Sequence, residues 1–191
     1  ERLLRNLTKY RLNPRGLDER IRIIPGDLGK PFLGLSESDF RSLACEIDVI
    51  YHNGAWVNFL AGYHKLFPTN VFGTHEIIRL ACEGGLIPLH YISSTGVFGT
   101  PGNESVRIGR LYEHDDIHIG LETSHIGYVQ TKWVAEKMVW LAKERGLPVG
   151  IFRCGMVMGD SRDGRTNVRD FPSLLIKTCI ELEAVYRLHK L

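Results

Sequence analysis

The sequence predicts an α/β protein, a parallel sheet with flanking helices. Two observations carry that reading. Short apolar, β-branched runs alternate with longer segments of helical periodicity, and such alternation builds parallel sheets through right-handed crossovers. Each apolar run also gives way to a short stretch containing Asp, Asn, Ser, Gly or Arg.

Residues 1–10 place Leu3, Leu4 and Leu7 among charges at helical spacing, and the Asn-Pro-Arg-Gly of residues 13–16 ends that helix. Residues 21–24 are read as a strand, leaving through Pro25, Gly26, Asp27 and Leu28. Ser36 is the expected N-cap of a helix reaching about Glu46, with Asp39 three residues on. Residues 48–52 form a second strand that ends at Asn53, Gly54 and Ala55. A long helix is expected over 68–83, stopped by Gly84 and Gly85. Residues 88–92 are a third strand running into Ser93, Ser94, Thr95 and Gly96. The polar stretch 100–126 reads as loop. The next helix opens at Gly127-Tyr128 and is closed by Gly146. Residues 148–153 are the fourth strand, 154–170 are loop, and a last helix begins near Pro172, which suits a first-turn position.

A chain of 191 residues, 43% apolar and 24% charged, is large enough for one domain with a core. A net charge of +2 gives no electrostatic footprint for nucleic acid. No apolar run has the length needed to cross a bilayer, so no membrane partner is expected. Cys45, Cys82, Cys154 and Cys179 are too scattered for a disulfide framework or a zinc site, and a reduced, cytosolic setting is expected. His114, His118 and His125 lie in the polar stretch without an acidic or cysteine partner at recognisable spacing, so no metal is expected.

In open parallel sheets, ligands bind beyond the carboxyl ends of the strands. Asp27, the 53–55 segment, Ser93 to Thr95 and Arg153-Cys154-Gly155 each follow a predicted strand, so they would share one rim. The chemistry-bearing pair is Tyr128 and Lys132. Residues four apart on a helix share a face, and a nearby ammonium favours the phenolate of a tyrosine that otherwise titrates near ~10. Such a pair alone is ordinary in amphipathic helices.

The ordered series is more specific. Residues 24–28 (Ile-Pro-Gly-Asp-Leu), 34–36 (Gly-Leu-Ser), 50–59, 70–74 (Asn-Val-Phe-Gly-Thr), 90–95 and Tyr128-x-x-x-Lys132 follow one another along almost the whole chain. This resembles the thioester reductase domain of nonribosomal peptide and polyketide synthases, related to carboxylic acid reductases and fatty acyl-CoA reductases within the extended short-chain dehydrogenase/reductases. The resemblance implies a Rossmann-like sheet. It also implies a function: NADPH-dependent reductive release of an acyl or peptidyl thioester, held by phosphopantetheine on a carrier domain, as an aldehyde or onward to an alcohol. It gives Tyr128 the proton donation and Lys132 the ribose contact and the lowering of the Tyr128 pKa. Ser94 takes the third position, three residues before Val97, with Thr95 as its rival. Asp27 and Leu28 would border the adenine, and Asn53, Gly54 and Ala55 the diphosphate and ribose. Ser93, Arg153, Cys154 and Gly155 would also border the cofactor, and Asn70 would brace the site. Cys154 and Gly155 stand where many relatives carry a proline-glycine exit.

No G-x-G-x-x-G run occurs in the sequence, and its one G-x-x-G-x-x-G match, Gly96, Gly99 and Gly102, enters the polar stretch after the third predicted strand instead of opening a helix after a first one. The expectation is therefore a partial domain, residues 1–191, that lacks the first β-α-β unit and the carboxy-terminal substrate region and binds cofactor weakly by itself. Two other functions share parts of this pattern: a nucleotide-sugar epimerase or dehydratase, and a non-catalytic reductase-like module. The Gly-Leu-Ser and His-Asn-Gly-Ala segments argue against the first, and intact Ser94, Tyr128 and Lys132 against the second.

Overall fold

Three parallel strands organise the computed structural model, which describes residues 2–12, 16, 19–99, 112–117 and 124–185. They are β1 (Ile50–His52), β2 (Leu89–Ser94) and β3 (Val149–Cys154), hydrogen-bonded in the order β1-β2-β3. The register pairs Ile50 with Leu89 and His52 with Tyr91, then Leu89 with Val149, Ser93 with Arg153 and Ser94 with Cys154. All three strands therefore end on one rim.

The chain divides into two units, one of residues 26–155 and the other of residues 1–25 with 156–191. The first unit holds the sheet. Its helices are α2 (Glu37–Glu46), α3 (Tyr63–Phe67), α4 (Gly73–Glu83) and α5 (Gly127–Glu144). Ser36 caps α2 as expected, its Oγ accepting from Asp39 N at 3.1 Å. Phe40, Ile50, Ile77, Leu80, Leu89 and Leu147 join one buried cluster, and Tyr91 packs with Ala135 and Val139 of α5 in another. In β2 the alternation sends Leu89, Tyr91 and Ser93 to the buried face. The second unit holds α1 (Arg2–Lys9) and α6 (Phe171–Glu181), with Asp170 capping α6 and Pro172 in its first turn.

Two expectations are corrected. Residues 21–24 form no strand: the ladders among the described residues join only β1, β2 and β3, and Ile23 is 69% exposed. No ladder among the described residues includes this segment, and β propensity alone does not make a strand. Asp27 accordingly follows no strand. The long helix starts at Tyr63 rather than near 68, and a π-turn (Pro68–Phe72) joins α3 to α4. Pro68 has no amide to donate, so it reads from sequence as a first turn. Here it lies inside a helical run whose register widens by one residue, the Gly73 amide reaching Pro68 O. Most of the expected loop 100–126, including His118, lies outside the described residues.

Candidate active site

Helix α5 carries the chemistry along one face, with Tyr128, Lys132 and Glu136 at four-residue spacing. The Tyr128 ring meets Phe59 edge-on, with centroids 5.5 Å apart. Burial pushes the Tyr128 phenol up from its ordinary pKa, and the neighbouring Cys154 thiol acts in the same direction. The expected lowering by Lys132 is thus not what this arrangement produces. The reason is where the ammonium goes. Lys132 is 4% exposed, donates from Nζ to Ile92 O at 2.6 Å, and lies 4.2 Å over the Tyr91 ring. Its own pKa is pulled down to about 8 by burial, with Glu136 and Cys154 partly opposing.

Ser94 ends β2. Its Oγ accepts from Gly96 N at 3.1 Å and so caps the 3₁₀ turn Thr95–Phe98. A Cβ at Gly96 would stand 3.3 Å from Val129 Cγ2 and 3.4 Å from Ser94 Oγ. Gly96 therefore lies between the serine hydroxyl and Val129, the residue that follows Tyr128. Across the ladder the partner of Ser94 is Cys154, the residue that acts electrostatically on both Tyr128 and Lys132. Thr95 is exposed on the turn. Ser94 and Cys154 thus end β2 and β3 as register partners, and Tyr128 and Lys132 of α5 both lie within electrostatic reach of Cys154.

Ser93 and Arg153 are turned the other way. Ser93 Oγ donates to Glu136 Oε2, and Arg153 donates to Glu136 Oε1 from Nε at 2.9 Å and Nη2 at 2.8 Å. The resemblance sets both beside a cofactor, and here their side chains bond Glu136. Gly155 has nothing within 4 Å of where a Cβ would stand.

Beyond β1, Asn53 and Gly54 are exposed and Ala55 is half-buried. A Cβ at Gly54 would lie 2.6 Å from Leu28 Cδ1, and one at Gly73 2.9 Å from Leu28 O. Leu28 is wedged between these two glycines, which leaves the Gly54 backbone open on its exposed side. Asp27 turns its own loop, Oδ1 accepting from Gly29 N at 2.9 Å.

Asn70, 2% exposed, is presented by the π-turn. Its Oδ1 accepts from Trp56 N at 2.7 Å, and its Nδ2 donates to Trp56 O at 3.2 Å and Thr131 Oγ1 at 3.0 Å. Thr131 Oγ1 donates in turn to Tyr128 O at 2.7 Å. One amide thus links the segment after β1 to the first turn of α5. Replacing Asn70 by Ala removes the acceptor of the part-buried Trp56 amide, a loss of about 1 kcal/mol. Denaturant unfolding should show a lower midpoint, and an unchanged midpoint would mean that the bracket contributes nothing.

His52, Thr74, Thr131 and Glu136 are site residues that sequence reasoning misses. Glu136 is reachable by extending the four-residue step of Tyr128 and Lys132 once more. His52 reads only as the end of a strand. It is 4% exposed, its Nε2 lies 2.9 Å from Thr74 Oγ1, and Thr74 donates that hydroxyl to Asn70 O at 2.7 Å. Burial, and then the Lys132 charge, pull the His52 pKa from 6.5 to about 4. The ring is neutral when folded but titrates normally when unfolded. Its contribution is complete above about pH 6.5, is lost as pH falls toward 4, and amounts to ~3 kcal/mol at most. Unfolding titrations at pH 7 and pH 4.5 should differ more for the native chain than for His52→Gln. Equal pH slopes would refute the buried neutral ring.

Comparisons with known proteins bear on this fold. A linear gramicidin synthase component of Brevibacillus parabrevis is 44% identical over 164 residues, which are 85% of this chain and 3% of that protein. The crystal structure of the terminal R domain from the myxalamid PKS-NRPS biosynthetic pathway superposes with a TM-score of 0.87 at 44% identity, over 93% of this chain and 44% of that one. A thiolation-reductase di-domain from an archaeal non-ribosomal peptide synthetase gives a TM-score of 0.66 at 30% identity, over 86% of this chain and 35% of that one. The chain thus spans less than half the length of each of these relatives, and the shared architecture bears out the expected Rossmann-like sheet. The NAD-binding family described as male sterility protein matches residues 1–190, and the chain belongs to that family.

Proposed function

We propose that this chain is part of an NADPH-dependent reductase that releases a carrier-bound acyl or peptidyl thioester as an aldehyde. The observation that carries the reading is that Ser94 ends β2 beside Cys154 of β3, and that Cys154 acts on both Tyr128 and Lys132 of α5, in a chain 44% identical to a terminal R domain. The donor set suits the nicotinamide-ribose end of such a cofactor: a phenol, an ammonium and a hydroxyl on one rim, with open backbone at Gly54.

The bound cofactor supplies a hydride to the thioester carbon. The residues manage the charge that this creates. Tyr128, held protonated by its raised pKa, donates its proton to the oxyanion. Ser94 orients that oxygen by hydrogen bonding, and Thr95, exposed on its turn, is the less suited hydroxyl. Lys132 places a buried positive charge beneath the site, which offsets negative charge on the phenol once its proton has left. The hemithioacetal then breaks its C–S bond: the hydroxyl proton returns to Tyr128, and the departing thiolate takes one proton from solvent. One thioester, one NADPH and one proton yield one aldehyde, one thiol and NADP⁺. Asn70 braces the site through Trp56 and Thr131. Ala55, Gly54, Asn53, Leu28 and Asp27 border the remainder of the cofactor. The acyl group arrives on phosphopantetheine from a carrier domain.

The test is the full parent chain with an acyl-pantetheine thioester, following NADPH oxidation and trapping the aldehyde as a hydrazone. Consumption with NADPH but not NADH, together with the trapped aldehyde, is expected. Turnover with NADH alone would overturn the cofactor assignment, and no aldehyde would overturn the reaction.

A further inference from the structure

We propose that Glu136 is a positioning residue: it clamps α5 to the ends of β2 and β3 and supplies the counter-charge for Lys132. This rests on the reductase reading above. Its carboxylate is fully buried at 0% exposure, and among the described residues it accepts hydrogen bonds from Ser93, Arg153 and Trp140. Oε2 accepts from Ser93 on β2. Oε1 accepts two bonds from Arg153 on β3 and one from Trp140 Nε1 on its own helix at 3.2 Å. Ser93 and Arg153 are register partners, and the next pair along is Ser94 and Cys154. A single carboxylate therefore fixes α5 against the two strands one residue before they deliver the site.

The clamp reaches further through Arg153. Its Nη1 donates to Glu113 O at 3.0 Å, and its guanidinium stands 4.5 Å over the Phe98 ring. Trp133 Nε1 donates to Ile117 O at 2.5 Å and Lys137 Nζ to Asp116 Oδ1 at 2.8 Å. The described segment 112–117 is thus held by Arg153 of β3 and by Trp133 and Lys137 of α5. A carboxylate deprived of water needs donors to replace it, and Arg153, Ser93 and Trp140 supply four.

Electrostatics give Glu136 its second task. Lys132 faces Tyr128 and Glu136 from its own helix, Tyr91 from β2, His52 from β1 and Cys154 from β3. Among these only Glu136 is a carboxylate. Arg153 offsets part of its charge, yet Glu136 still acts to raise the Lys132 pKa against burial. Without it, the ammonium would lose its proton at lower pH.

The test uses the full parent reductase, with Glu136→Gln and Glu136→Asp, and reads Lys132 directly. Competitive acylation of Lys132 across pH, quantified by mass spectrometry without substrate or cofactor, gives its titration midpoint. The expected midpoint for E136Q is lower by about one unit, a tenfold change in the charged-to-neutral ratio, and E136D restores it. In turnover, E136Q should lose kcat mainly above pH 7 and recover it near pH 6, while KM changes little. A midpoint unmoved in E136Q, or a kcat loss equal at every pH, overturns the proposal. If E136Q does not fold, Ser93→Ala decides the clamp. It leaves the charge in place, so it should lower kcat without moving the Lys132 midpoint, and an unchanged kcat overturns the clamp. A native parent chain that reduces no thioester defeats the functional reading, whereas the acylation midpoint still decides the role of Glu136.

Discussion

Tyr128→Phe lowers kcat for thioester reduction by about 10²- to 10⁴-fold, the range a positioned proton donor contributes. The substitution deletes one oxygen and leaves the ring, so the edge-on contact with Phe59 survives. The Tyr128 side-chain oxygen makes no hydrogen bond within the described residues, so no partner is orphaned and stability should change little. Water is a poor substitute as donor, because burial already raises the cost of charge at that position. The measurement is kcat for NADPH oxidation with an acyl-pantetheine thioester, beside a thermal unfolding curve. A kcat within about threefold of the native value, with an unchanged melting temperature, would move the donor role to another group. Cys154, already close enough to affect the phenol, is the first to examine.

The parts of the molecule legible in the sequence are those set by local pattern. Ser36 with Asp39 marks the start of α2, and the apolar runs mark β1, β2 and β3, because caps and strand alternation are written in neighbouring residues. Tyr128 and Lys132 are legible because the helix repeat puts residues four apart on one face. What stays hidden depends on partners distant in sequence. Residues 21–24 have β composition, but a strand exists only where a ladder does. Pro68 looks like a helix start, because nothing local announces a π-turn that continues a helix from Tyr63. Ser93 and Ser94 look equivalent on paper. Alternation along β2 sends the first to Glu136 and the second to the rim, and only the packing of α5 decides which face is which. The direction of the Tyr128 shift differs from expectation for the same reason. Proximity to Lys132 is legible, but its commitment to Ile92 O and the depth of burial are not.

Gly127→Ala is the substitution expected to disturb the fold and the site together. Gly127 opens α5 and immediately precedes Tyr128. An added Cβ would lie 2.5 Å from Ala61 O, 2.5 Å from Tyr63 N and 2.6 Å from Gly62 C. All three are backbone atoms, so no rotamer change relieves the overlap, and either the 61–63 segment or the first turn of α5 must move. Helix propensity works in the opposite direction, since alanine is better than glycine in a helix by about 1 kcal/mol. Overpacking against rigid neighbours costs about 1–3 kcal/mol, occasionally more, and three simultaneous backbone overlaps belong at the upper end, so the clash wins. The displaced turn carries the phenol with it, and a misplacement of about 1 Å in a reacting group costs about 10²-fold in rate. Expected, then, are a lower melting temperature and a kcat reduced by about two orders of magnitude. Gly62→Ala is the matched control on the other side of the contact: its Cβ would meet nothing within 4 Å, and at an N-cap the exchange costs at most about 1 kcal/mol. If Gly127→Ala behaved like Gly62→Ala in both melting temperature and kcat, the close approach of α5 to the 61–63 segment would not be what seats Tyr128.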